Sequence, residues 1–105
     1  MAPSDRKSPY YAVIFTSVRS RVDEGYDQTA NDMARLAAEM PGFLGLDSAR
    51  NEVGITVSYW ETLDDIARWR HQADHAIARR QGREKWYESF SVSVCKVERS
   101  YSFHA

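Results

Sequence analysis

The chain has 105 residues, which is the length of one domain. Hydrophobic residues make up 43% of it, enough for a core and too many for a disordered chain. The formal net charge of −1 gives no reason to expect nucleic acid or a membrane surface as a partner, since nucleic-acid binders usually carry a basic excess. The apolar runs are also too short to span a bilayer.

The first nine residues, Met1 to Pro9, are polar and contain two prolines. We interpret residues 1–9 as a flexible tail and residues 10–105 as the domain. The tail lacks the apolar central stretch of a secretory signal. The single cysteine, Cys95, cannot form an internal disulfide. Together these features predict a cytoplasmic protein.

The first predicted strand runs from Tyr10 to Val18 and is apolar on both faces, which means that both faces must be covered. One face carries Tyr11, Val13 and Phe15, and the other carries Ala12, Ile14 and Val18. A helix is predicted from Tyr26 to Met40, because apolar residues recur there at steps of three and four. Pro41 and Gly42 end this helix.

The next two strands, Phe43 to Arg50 and Ile55 to Trp60, are short and separated by a turn sequence, so they form a hairpin. The turn is Asn51 to Gly54, and Gly54 is free to take a positive φ there. These strands place the second helical stretch directly after Trp60.

The second helical stretch begins at Thr62, whose hydroxyl can cap it, with Asp65 three residues on. The residues that recur on its apolar face are Ile66, Trp69 and Ala73. A break with a second helical piece is expected from about Asp74. The last strand is predicted from Glu88 to Tyr101, with a bulge or a change of environment near Val94 where the apolar parity switches.

The element order is therefore βαββαβ, which predicts an α+β fold of the ferredoxin-like type. Two helices can cover only one face of a four-stranded sheet. The other face still carries large apolar side chains, and in a soluble protein such a face usually marks a partner surface. A two-fold homodimer is the commonest solution, so we expect the chain to pair with a second copy.

One pattern in the second half of the chain resembles a known family. A strand ending in Tyr59-Trp60 is followed by Trp69, His75, Gly82 and Trp86-Tyr87, and then by a strand ending at Tyr101. This arrangement resembles the antibiotic biosynthesis monooxygenase (ABM) superfamily, and within it a small bacterial branch. The resemblance covers roughly residues 10 to 101. It implies a dimeric α/β barrel, often with the last strand reaching over to the partner.

The resemblance also implies a function: a small cofactor-independent monooxygenase acting on an aromatic or polycyclic compound. In that chemistry an electron-rich phenolate reacts directly with dioxygen. Quinone-forming members use an Asn, a Trp and a Tyr on the second helical segment as proposed substrate contacts. The nearest matching positions here are Asp65, Trp69 and His75. Only the Trp is kept, which points to a different substrate or to an absent activity.

The candidate site residues each have a structural alternative. Trp69 is either a stacking wall for the substrate or part of the core. His75 is either a general base or a side chain that holds a helix junction. Arg83 would balance negative charge on the substrate, and Trp86 beside it would bind the aromatic system, although charge runs are usually solvated faces. We expect the ligand between the helical stretch and the sheet, inside each subunit.

Two rival functions stay open. ABM-fold enzymes also degrade haem, using a histidine as the iron ligand with an Asn and a Trp nearby, but here the first strand offers no Asn. A non-catalytic dimer that binds a small molecule or serves as an accessory subunit is the second rival. No metal site is predicted, because His71 and His75 have the spacing of two ligands but no third ligand follows.

Overall fold

The computed structural model describes residues 9–79 and 86–105, with only the backbone described for residues 75–79. Within these ranges the chain forms six elements. They are β1 (Tyr10–Arg19), α1 (Tyr26–Glu39), β2 (Phe43–Arg50), β3 (Gly54–Trp60), α2 (Leu63–Arg79) and β4 (Tyr87–Val97). The four strands form one antiparallel sheet in the order β2-β3-β1-β4, so the predicted α+β, ferredoxin-like fold is confirmed.

The hydrophobic core lies at one end of the helix-facing side of the sheet. Trp60 is fully buried there, and its ring centroid lies 5.4 Å from that of Phe43 on β2 and 5.4 Å from that of Trp69 on α2. Val13 of β1 and Ile66 of α2 complete the contact between the layers. Aromatic packing therefore attaches α2 to the sheet at this end.

Side chains on β3 become smaller away from that core. Alternate residues of a strand point to the same face of the sheet. The helix-facing residues of β3 are, in order, Trp60, Ser58, Thr56 and Gly54. Rings therefore fill one end of the space between sheet and helices, and small side chains leave room at the other end.

The start of α2 matches the prediction, but its course does not. The Thr62 hydroxyl accepts a hydrogen bond from the backbone N–H of Asp65 at 3.0 Å, which confirms the predicted cap. The break expected at Asp74 is wrong, because α2 runs unbroken from Leu63 to Arg79. The helix contains neither Gly nor Pro, and the exposed Asp74 is simply accommodated within it.

The last strand also differs from its prediction. It ends at Val97 and does not continue to Tyr101. Val97 pairs with Tyr10, the first residue of β1, so later residues have no neighbouring strand among the described elements. The register is regular across Val94, so no bulge lies there, and the irregularity falls between Val18 and Arg19.

Glycine geometry differs at the hairpin. The positive-φ glycines of the described chain are Gly25, Gly42 and Gly45, so Gly54 does not use the positive φ that is open to it. Gly54 is the first residue of β3 and is extended. None of the described helices combines the length and apolar character needed to cross a membrane.

We predict that Gly42→Ala destabilises the fold more than Gly25→Ala. Both glycines have a φ near +80°, so both alanine variants bear the cost of a left-handed backbone, about 1–2 kcal/mol. At Gly42 an added Cβ would also overlap the buried Asp65 carboxylate, whereas at Gly25 it would meet only the Trp86 ring at 3.7 Å. Urea unfolding measures both changes, and equal losses would contradict the prediction.

Candidate binding cavity

A cavity of about 400 Å³ lies between the helices and the helix-facing side of the sheet. It begins beside the Trp60 core and extends along β3 toward the small residues. Its main apolar and aromatic walls are Val13, Phe15, Tyr26, Met33, Leu46, Trp69, Trp86, Tyr87, Val92 and Val94. A concave, largely apolar space with few polar groups is typical of small-molecule sites.

Trp69 forms the wall of the cavity next to the core. Its ring packs on Trp60, which fixes its position on α2. Its indole Nε1 is buried and has no hydrogen-bond partner among the residues that the structure describes. A buried N–H without an acceptor is costly and uncommon in native structures. This N–H is therefore a free donor for an oxygen atom of a ligand.

Trp86 is a wall of a different kind. It is buried, and its Nε1 donates to the backbone carbonyl of Glu24 at 2.9 Å. Its ring meets the Tyr26 ring edge-on, with centroids 6.0 Å apart. Its polar atom is thus already used, so Trp86 offers a ligand an apolar surface alone.

A cluster of aromatic rings closes this side of the cavity. The Tyr87 ring lies 5.5 Å from Phe15 and 5.9 Å from Tyr26, both edge-on. The Tyr87 hydroxyl donates to the Tyr26 hydroxyl at 3.4 Å. Burial above all, and then this hydrogen bond, raises the pKa of the Tyr87 phenol, so it stays neutral at physiological pH. Tyr87 therefore acts as a hydrogen-bond donor and as part of the cavity wall, and it is poorly suited to act as a base.

Arg50 is a cavity residue that the sequence reasoning missed. Its side chain crosses β3 and donates to the backbone carbonyl of Ser17 on β1 at 3.4 Å, and also to the Ser17 hydroxyl. The path is open because Gly54 has no Cβ, which would overlap the guanidinium. The sequence signal was the glycine that starts the strand opposite Arg50 in the hairpin.

Asp65 is buried at the start of α2 and does not line the cavity. Its carboxylate accepts hydrogen bonds from the Thr62 hydroxyl at 2.8 Å and from the Arg68 guanidinium at 2.9 Å. The bond from Arg68 is the largest cause, followed by that from Thr62, of a lowered pKa for Asp65. Its role as a substrate contact stays a prediction.

The structure does not test the other polar candidates. Arg83 lies outside the described residues, and so does the side chain of His75. The phase change that was expected to turn His75 inward does not occur, because α2 is continuous. Asp74, one residue earlier, lines the cavity, and His71 is exposed. The described residues contain no group of three potential metal ligands.

Comparison with known proteins matches the chain to a family model and to a bacterial relative. A family model described as antibiotic biosynthesis monooxygenase matches residues 9–81. The Bacillus subtilis protein YqjZ, itself described as uncharacterized, is 54% identical over 97 residues, a match that covers 90% of this chain and 85% of YqjZ.

Solved structures share the fold at low sequence identity. A variant of SnoaB, a cofactor-independent oxygenase from Streptomyces nogalater, is 14% identical with a TM-score of 0.68, covering 87% of this chain and 95% of that one. PA3566 from Pseudomonas aeruginosa is also 14% identical, with a TM-score of 0.65 and coverage of 89% and 96%. At an identity of 14%, these similarities show a shared fold alone.

We predict that Asp65→Asn lowers stability at pH 7 by about 2 kcal/mol, because a charge-assisted hydrogen bond is lost in a buried position. The lowered pKa makes Asp65 stabilise the fold above its unfolded pKa of about 4, and this contribution disappears as the pH falls through the folded pKa. The difference in free energy of unfolding between the variant and the wild type should therefore be smaller at acidic pH.

Urea unfolding at pH 7 and pH 3 measures this difference. The control is Asp64→Asn, since Asp64 is exposed in the same first turn of α2. A difference that is unchanged at pH 3 would show that the loss does not depend on the Asp65 charge.

Proposed function

Because the chain belongs to the antibiotic biosynthesis monooxygenase family, we propose that it is a monooxygenase that oxidises a small aromatic or polycyclic substrate with dioxygen and without a bound cofactor. The observation that carries the proposal is the unpaired indole N–H of Trp69 in an aromatic-walled cavity. SnoaB, which shares the fold, is described as a cofactor-independent oxygenase, and this supports the same reading.

The substrate supplies all the electrons in this chemistry. A phenol or enol loses a proton, and the resulting anion transfers electrons to dioxygen. A ring CH₂ group becomes a carbonyl that contains one oxygen atom of O₂, while its two hydrogens leave with the other oxygen atom as water. The four electrons lost by carbon reduce O₂ completely. The protein therefore has to bind, orient and deprotonate the substrate and keep bulk water out.

Trp69 is suited to two of these tasks. Its ring gives a flat surface on which an aromatic system can stack. Its Nε1–H can donate to the oxygen on which negative charge develops, and such a bond is stronger in a water-excluded site. Trp86 and Phe15 line the same cavity and hold the flat system from other sides.

His75 is the proposed base. The α2 helix extends through residue 75, directly after Asp74, which lines the cavity. A histidine titrates near neutral pH and suits proton abstraction from a phenol or enol. Asp65 is kept as a proposed substrate contact from the family correspondence. Arg83 is kept as the residue that would balance negative charge on the substrate.

Oxygen uptake with a panel of anthrones and hydroquinones tests the function. We expect anthrones to give oxygen uptake above the rate without protein, with an anthraquinone that contains one oxygen atom of O₂ as product and water as the other. Trp69→Phe keeps an aromatic wall but removes the N–H, so kcat/KM should fall about 10- to 100-fold, the range of a hydrogen bond to a charged group. His75→Gln should lower kcat, whereas His71→Gln, one helical turn earlier, is the matched control.

Two outcomes would contradict this function. If the substrates bind but no oxygen is consumed, the chain is a binding protein. If haemin gives a sharp Soret band that His75→Ala removes, haem is the ligand. Thermal melting of each variant separates a loss of fold from a loss of activity.

We also propose a homodimer formed by the sheet face that the helices leave open. Apolar residues on that face include Ile14, Ile55, Val57, Cys95 and Val97. Ile55 is 46% exposed, and the chain after β4 carries Tyr101 at 92% and Phe103 at 86% exposure. A second copy would cover this surface.

Light scattering at micromolar concentration should give twice the mass of one chain. Val57→Glu places a charge on the open face and should reduce the mass to that of a monomer. Ala38→Glu adds the same charge on the exposed side of α1 and should have no effect. A monomeric wild type would contradict the dimer.

A further inference from the structure

We propose that the ligand of this cavity carries a carboxylate, which binds to the guanidinium of Arg50 at the end of the cavity away from the Trp60 core. The inference rests on the proposed function, because it assigns a substrate class to the same cavity. It concerns a part of the ligand that does not react, since the reacting oxygen is assigned to Trp69 at the other end.

Arg50 is held in place by neighbouring strands. Arg50, Gly54 and Ser17 lie in one row across β2, β3 and β1 on the helix-facing side. The guanidinium lies over the bare Cα of Gly54 and donates to the carbonyl and hydroxyl of Ser17. A guanidinium has five N–H donors, so several stay available after these two bonds. The side chain is therefore oriented before a ligand arrives.

The charge of Arg50 is not neutralised by any carboxylate of the described residues, since its partners there are the neutral groups of Ser17. Nearby Arg19 differs, because its guanidinium pairs with Asp23 at 2.9 Å and lies 3.4 Å from the centre of the Tyr26 ring. Within the described part of the chain, the positive charge of Arg50 at the cavity therefore has no compensating carboxylate.

The other described charges at the cavity come from α2. Arg70 and Asp74 are four residues apart on that helix and have opposite signs, so together they contribute no net charge. Among the described strand residues that line the cavity, Arg50 is the charged one. The sheet side of the cavity therefore favours an anion, and the planar fork of an arginine matches a carboxylate in a bidentate manner.

The distance between the two polar ends of the cavity sets the length of a ligand that contacts both. Trp60, on which Trp69 packs, and Gly54, over which Arg50 lies, are six residues apart on β3, or about 20 Å at 3.3 Å per residue. Trp69 and Arg50 both line the cavity that runs along this interval. A ligand that reaches both ends must be longer than one ring, so we infer a fused-ring compound with a carboxylate remote from its reacting position.

Binding of two oxidised probes tests the inference without turnover. The probes are anthraquinone-2-carboxylate and its neutral carboxamide, and their binding is followed by quenching of tryptophan fluorescence. Wild type should bind the carboxylate about tenfold more tightly, and added salt should reduce this preference. Arg50→Gln should abolish the preference and leave carboxamide affinity within about twofold. Arg35→Gln, an exposed arginine of α1 that pairs with Asp32, is the matched control and should keep it.

A second variant tests the position of the charge. Gly54→Ala keeps Arg50 but adds a Cβ where its guanidinium lies, so the preference should fall although the net charge is unchanged. Arg50→Lys should keep part of the preference for the carboxylate. It replaces Arg50→Gln as the test variant if Arg50→Gln melts at a much lower temperature than wild type. The inference is overturned if the preference survives in Arg50→Gln, if wild type binds both probes equally, or if it binds neither.

The binding test and the oxygen-uptake test can fail independently of each other. A carboxylate preference that depends on Arg50, without oxygen uptake from any substrate, supports the subsite and removes the monooxygenase function. Oxygen uptake from neutral anthrones, together with an absent preference, supports the function and overturns the subsite.

Discussion

The burial of Trp60 is the constraint on which the rest of the structure depends. Its ring lies between Phe43 and Trp69, and its own indole N–H is satisfied because Nε1 donates to the Ser58 hydroxyl at 2.9 Å. Because α2 begins three residues after Trp60 and packs back on it through Trp69, the helical layer is fixed at this end. The decreasing size of the β3 side chains then leaves the cavity open beyond it.

The parts of the fold that could be predicted from the sequence are those fixed by local patterns. The apolar run of β1, the apolar stripe of α1 and the Thr62 cap each depend on residues close together in the chain. The end of β4 depends on where β1 begins, and the path of Arg50 depends on a glycine in another strand. These features require neighbours that only the folded sheet brings together, and local sequence patterns do not contain that information.

Asp65 shows how a family correspondence and a structural role can meet at one position. The correspondence places it where related enzymes have a proposed substrate contact. Here both carboxylate oxygens are used, one by Thr62 and the other by Arg68, beneath the chain at Gly42. A ligand would have to displace one of these charge-assisted bonds, which requires a compensating interaction of similar strength. Equivalent backbone position therefore does not by itself transfer a side-chain function.

The alternation of β1 separates the two proposed surfaces of the protein. Val13 and Phe15 point toward the helices and line the cavity, whereas Ala12 and Ile14 point to the open face. Because the side-chain period of a strand is two, neighbouring residues of one strand serve different surfaces. A charge at an even-numbered position of β1 then acts on association, and one at an odd-numbered position acts on the ligand. The two proposals thus depend on largely different side chains, although both surfaces use β1, β3 and β4.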